Sequence, residues 1–172
     1  ALFAWIEHVR MATGLEPELV FVSGMLQQSV GLPGRIARSL IDLQPLLEAG
    51  RERLANDDVP EAASQAGSPR PFTVGRLSRD ALDKHNPEDP MLYRMLASRG
   101  IRVRIMGGTC LAPALEGVEG VDLLPAGAEL ATDFYRSLDL FLYRTGASTE
   151  AYGRVIVEAM ASALPVVACR RG

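Results

Sequence analysis

Two carboxylates, Glu150 and Glu158, stand with seven residues between them in the run Thr149-Glu150-Ala151-Tyr152-Gly153-Arg154-Val155-Ile156-Val157-Glu158. A general acid/base pair is one chemistry such residues could perform. If the intervening residues were all helical, they would lie ~12 Å apart along the axis. That exceeds the ~5–9.5 Å separating paired glycosidase carboxylates. Carboxylates accept hydrogen bonds from hydroxyls, so this spacing suits the two ends of one elongated ligand. Between them Gly153 falls in the expected first helical turn, where backbone N–H groups and the positive dipole end can meet an anion. A missing Cβ there permits close approach. Upstream, the expected strand Pro71–Gly75 runs into Arg76, Arg79 and Lys84. This places cations at a strand's carboxyl end, where ligands bind in an open parallel sheet. The bland alternatives are solvated loop charges and an exposed Arg154–Glu158 pair worth ~0.2–0.5 kcal/mol.

Glu-x7-Glu, continued as Ala-Met-Ala-x-x-x-Pro-Val-Val-Ala at residues 159–168, resembles the signature of the GT-B-fold retaining glycosyltransferases, the family 4-like members of the group 1 superfamily. The resemblance implies a nucleotide-sugar-binding domain with UDP-, GDP- or ADP-sugar as substrate and no cofactor. Glu158 would bond the ribose hydroxyls and Glu150 would sit by the donor sugar. Arg76 and Lys84, with backbone N–H groups around Tyr152, Gly153, Arg154 and Val155, would stabilise the departing diphosphate. Lys84 fits only if its loop carries three extra residues over the commoner spacing, and Arg79 is a rival. Gly75, in Gly75-Arg76-Leu77, and Gly107 would lie beside the donor. Backbone after the strand 120–125 would meet the nucleobase. The acceptor would be a saccharide, a lipid-linked group or a small molecule. No metal-binding Asp-x-Asp stands in the motif region.

The elements that must position these residues alternate between strand and helix. Apolar runs at 19–22, 71–75, 101–106, 120–125, 138–143 and 166–168 read as strands, as does the alternating run 35–41. The run 166–168 reads as buried on both faces. Helices are expected at 1–14, 25–30, 43–54, 89–98, 110–116, 128–137 and from Tyr152 towards Pro165. Their inward residues include Met91, Leu92, Met95, Leu96, Leu130, Phe134, Tyr135 and Met160. The expectation is an α/β, doubly wound, Rossmann-like parallel sheet, the truncated C-terminal half of a GT-B fold. Residues 1–32 would be the remnant of an N-terminal acceptor domain with its hinge near Gly31–Gly34, and 33–172 the donor domain. Such a fragment would bind nucleotide weakly and not catalyse transfer. Residues 56–70 read as a surface loop in which Asp57-Asp58 is solvated.

Of the 172 residues, 48% are hydrophobic and 23% charged, with net charge −3. That is enough for a core, and it lacks the basic face of a nucleic-acid binder. Cys110 and Cys169 form no CxxC or Cys/His cluster, so buried free thiols are expected rather than zinc. His8 and His85 read as surface or hinge residues. No run approaches a membrane span. A cytoplasmic setting is the default, and any peripheral membrane contact would fall to regions beyond this chain. The competing readings are a non-catalytic interaction domain on the same fold and, less well matched, a dinucleotide oxidoreductase, which would need GxGxxG.

Overall fold

The computed structural model describes residues 2–37, 40–57, 70–147, 150 and 152–169. The chain divides into two compact units between Leu40 and Ile41.

The first unit comprises α1 (Leu2–Thr13), β1 (Val20–Phe21), α2 (Gly24–Val30) and β2 (Arg35–Ile36). Ser23 caps α2, its Oγ accepting from the Leu26 N–H at 3.2 Å, and Gly31 ends it in the left-handed region. Both strands are far shorter than the runs 19–22 and 35–41 anticipated, and they pair in parallel. Because β2 pairs back onto β1, residues 35 and 36 belong to this unit. In α1 Trp5 and Met11 are 56% and 84% exposed, while Ile6 and Val9 are half-buried.

The second unit holds a five-stranded parallel sheet in the order β5-β4-β3-β6-β7. Its strands are β3 (Thr73–Leu77), β4 (Arg102–Met106), β5 (Val121–Leu124), β6 (Leu140–Tyr143) and β7 (Val166–Ala168). The helices are α3 (Gln44–Asp57), α4 (Asp89–Ala97), α5 (Ala112–Leu115), α6 (Ala131–Arg136) and α7 (Arg154–Ala161). Alternation along the strands divides the core in two. Leu77, Met106, Phe141 and Tyr143 pack with Phe134, Tyr135, Leu138 and Ala159 beneath α3, α6 and α7. Val74, Val103, Ile105 and Leu142 pack with Tyr93, Leu111 and Leu115 beneath α4 and α5. This is the expected doubly wound α/β sheet.

Several local expectations are corrected by these contacts. Strand β3 continues through Leu77, so Arg76 lies inside it rather than past its end. Asp89 and Tyr93 are the buried residues of α4, whereas Met91 and Met95 are 72% and 41% exposed. Leu130 precedes α6 and is 71% exposed, and Met160 is 63% exposed. Helix α7 ends at Ala161, and Ala163 turns the chain at φ +53° before Leu164 re-enters the core. Among the described residues β7 borders the sheet, and Val167 is 51% exposed instead of covered on both faces. Residues 110–116 split into a 3-10 turn (Thr109–Leu111) and α5. Of the loop expected at 56–70, residues 56 and 57 belong to α3, and 58–69, Asp58 included, lie outside the described residues.

Candidate functional site

Strands β3, β4 and β5 step outward in one direction, and the chain then returns to lay β6 on the other side of β3. The crevice at the carboxyl ends of β3 and β6 is therefore the point where strand order reverses, the usual ligand position in an open α/β sheet. Arg76 lies near the end of β3, Tyr143 closes β6, Lys84 sits in a 3-10 turn (Leu82–Lys84) after β3, and Glu150 follows β6.

These four side chains meet. Tyr143 donates its hydroxyl to Glu150 Oε2 at 2.6 Å. The Gly153 N–H donates to Glu150 Oε1 at 3.1 Å. Lys84 Nζ lies 3.6 Å from Glu150 Oε2. The Arg76 guanidinium stacks over the Tyr143 ring, 4.7 Å from its centroid, and donates through Nη2 to the Lys84 carbonyl. Burial pushes the Glu150 pKa upward, but the Tyr143 hydroxyl, the Gly153 and Tyr152 N–H groups and Lys84 outweigh it and hold the carboxyl below its ordinary value. Glu150 is therefore ionised at neutral pH. Burial, and the neighbouring carboxylate that accepts its proton's hydrogen bond, push the Tyr143 phenol well above its usual range, keeping it a donor.

Arg76, Lys84 and Glu150 are thus brought together, but not as an open cationic edge. Arg76 is 0% exposed, and its Nε and Nη1 have no hydrogen-bond partner among the described residues. Arg79 points outward, 71% exposed, 3.7 Å from Asp83. Glu158 belongs to α7 and accepts from the Tyr135 hydroxyl at 3.1 Å, while Arg154 is exposed, so the two do not form the isolated surface pair weighed above. Glu150 precedes the helix, which begins at Arg154, so only the later part of the Glu150–Glu158 interval is helical. Gly153 is the residue before the helix, at φ +72°, rather than within its first turn. Tyr152 and Val155 flank it, half-buried.

Two of the glycines expected beside the donor are closely packed by this chain. A Cβ at Gly75 would lie 2.3 Å from Leu138 Cδ1, and one at Gly107 would lie 1.9 Å from the Ser78 carbonyl oxygen. Both spaces are filled by this chain itself.

His85 is 3% exposed, not a surface or hinge residue. Its Nε2 lies 3.0 Å from the Gly107 carbonyl, which can only accept, so the proton resides on Nε2. Burial, then the Arg76 charge, lowers its pKa. Nearby Asp89 is wholly buried; it accepts from the Asn86 N–H at 3.0 Å and lies 3.3 Å from Arg144 Nη1. Cys110 and Cys169 are half-buried and form no disulfide, and burial pushes the Cys110 thiol up to about 11. Among the described residues no group of three or more His, Cys, Asp or Glu could hold a metal ion. No helix described is long and apolar enough to cross a membrane.

Sequence reasoning missed Tyr143, Tyr135 and Arg53. Tyr143 closes an apolar run and Tyr135 is an inward residue of an expected helix, so both read as core residues. Arg53 donates to the Leu138 and Tyr135 carbonyls at 2.9 Å each, anchoring the end of α6 from α3.

The doubly wound parallel sheet with its switch-point crevice matches, in fold, about half of each of several solved GT-B-fold structures. No protein-family model and no curated protein matches the sequence. Among solved structures, Anabaena HepE in complex with UDP and glucose is similar over 95% of this chain and 47% of its own, with a TM-score of 0.61 and 19% identity. A glycosyltransferase from Rickettsia africae is similar over 98% and 48%, with a TM-score of 0.62 and 13% identity. A trehalose-6-phosphate synthase studied with bisubstrate glycomimetics is similar over 87% and 44%, with a TM-score of 0.53 and 14% identity. The chain spans about half the length of the solved structures it matches. At these identities the likeness is one of fold.

Proposed function

We propose that the chain is the donor-binding half of a retaining glycosyltransferase, one that moves a sugar from a nucleotide diphosphate sugar to an acceptor. The observation that carries this reading is the convergence of Arg76, Lys84 and Glu150 at the strand-order reversal. The fold of HepE, a protein solved with UDP and glucose, supports the same ligand class. On this reading Glu150, ionised and held by Tyr143 and Gly153, faces the sugar hydroxyls, and Glu158 takes the ribose hydroxyls. The diphosphate lies between them, near the first turn of α7. Arg76, wholly buried, contributes its positive charge from within the fold, and Lys84 exchanges its partner Glu150 for phosphate oxygens. As the donor bond breaks, negative charge grows on the diphosphate, and fixed cations and N–H groups lower the barrier by meeting that charge.

Calorimetric titration with UDP-, GDP- and ADP-sugars tests this. One of the three should release measurable heat; silence from all of them, with folded protein, removes the reading. A second reading, an interaction domain that keeps the fold without activity, draws on Arg76 being wholly buried. It would gain if Arg76→Ala and Glu158→Ala left every ligand interaction unchanged.

A further inference from the structure

Each of the two glutamates is held by a tyrosine that lies outside the Glu-x7-Glu run. Tyr143, 3% exposed, donates to Glu150 Oε2 at 2.6 Å. Tyr135, 0% exposed, has its hydroxyl 3.1 Å from both Glu158 Oε2 and the Val155 carbonyl, so one proton serves two acceptors of α7. Phe141 joins the rings. Its centroid is 5.6 Å from that of Tyr135, edge to face, and 6.4 Å from that of Tyr143, nearly parallel. Arg76 covers the outer end of this ladder. A phenol fixed by aromatic neighbours restricts a carboxylate to one rotamer while leaving other lone-pair positions open to a ligand.

Resting on the donor-binding reading, we infer that Tyr143 and Tyr135 are positioning residues with separate tasks: Tyr143 sets Glu150 for the transferred sugar, and Tyr135 sets Glu158 for the ribose. The two hydroxyls should then be separable by ligand. Losing Tyr143's hydroxyl affects only what the sugar adds to binding. Losing Tyr135's affects the nucleotide with or without its sugar.

The test titrates wild type, Tyr143→Phe and Tyr135→Phe with UDP, GDP and ADP and with the glucose conjugate of each. Phenylalanine keeps the ladder, and a thermal melt checks each fold. For the base that binds wild type, Tyr143→Phe should hold the nucleoside diphosphate within about twofold and weaken the sugar nucleotide roughly tenfold, as loss of a hydrogen bond to a charged group does. Tyr135→Phe should weaken both ligands by similar factors. Acidification should erase the sugar-dependent gain in wild type, and at a higher pH in Tyr143→Phe, whose Glu150 has lost a donor that favours its charged form. If wild type binds none of the six ligands, the donor-binding reading itself fails. If wild type binds, yet Tyr143→Phe weakens both ligands equally or leaves the pH profile in place, the inference is overturned and the donor reading survives. Should Tyr143→Phe not fold, Glu150→Gln replaces it. That variant must reproduce the selective loss of the sugar contribution, and an unselective loss counts against the inference in the same way.

Discussion

Gly107 offers the sharpest test of whether the glycines around the crevice serve a ligand or the fold. Its φ is +83°, and a Cβ there would lie 1.9 Å from the Ser78 carbonyl oxygen, a backbone atom tied down by the Ser78 N–H to Met106 bond of 3.0 Å. Two costs therefore fall on Gly107→Ala. A left-handed backbone with a Cβ costs ~1–2 kcal/mol. Displacing the 78–79 backbone adds ~1–3 kcal/mol, the range for overpacked sites. The stiffer unfolded chain returns ~0.4–1 kcal/mol. The net loss should be about 2–4 kcal/mol. Two further variants separate the terms. Gly127→Ala has φ +74° with nothing within 4 Å of the new Cβ, so it isolates the backbone cost at about 0.5–1 kcal/mol net. Gly75→Ala is not among the positive-φ glycines but meets the Leu138 side chain at 2.3 Å, so it isolates the steric cost at about 1–2 kcal/mol. Urea unfolding followed by far-ultraviolet circular dichroism, without ligand, should rank the losses Gly107→Ala, then Gly75→Ala, then Gly127→Ala. If Gly107→Ala is no less stable than Gly127→Ala, the steric argument is wrong.

Other perturbations follow from the same contacts. Arg53→Met removes two charge-assisted bonds of 2.9 Å from the end of α6; urea midpoints should register a loss of about 1.5–3 kcal/mol, within the range for hydrogen bonds to charged groups. Glu150 has a folded pKa below its ordinary 4.5, so its ionised form contributes stability above that pH, lost as pH falls through the folded value. Wild type should therefore exceed Glu150→Gln in stability at pH 7, and the gap should close as pH falls from 4.5 through the lowered folded value; a gap that widens instead would refute the assigned contacts.

Local chemistry made much of this protein legible. Alternating apolar runs and breakers located the strands of the sheet to within a residue or two, because strand and turn preferences depend on near neighbours in the chain. The Glu150–Glu158 run and its glycine pointed to a ligand, since residue types at a short interval can be weighed without knowing the fold. Which apolar residues face inward was less legible. Met91, Met95, Leu130 and Met160 satisfy the periodicity yet stay exposed, because a stripe names a helix face without naming what covers it. The site's supports lay further from view. Tyr143 and Glu150 are seven residues apart, Tyr135 and Glu158 are 23 apart, and Arg53 reaches carbonyls 82 and 85 residues away. Sequence alone determined that strands alternate with helices and that acids and cations stand at their junctions. Only the tertiary structure decided that β6 returns to lie beside β3, and this pairing buries Arg76 against Tyr143 and turns Tyr143 towards Glu150. Strand order depends on backbone partners far apart in the chain, and no local spacing encodes them.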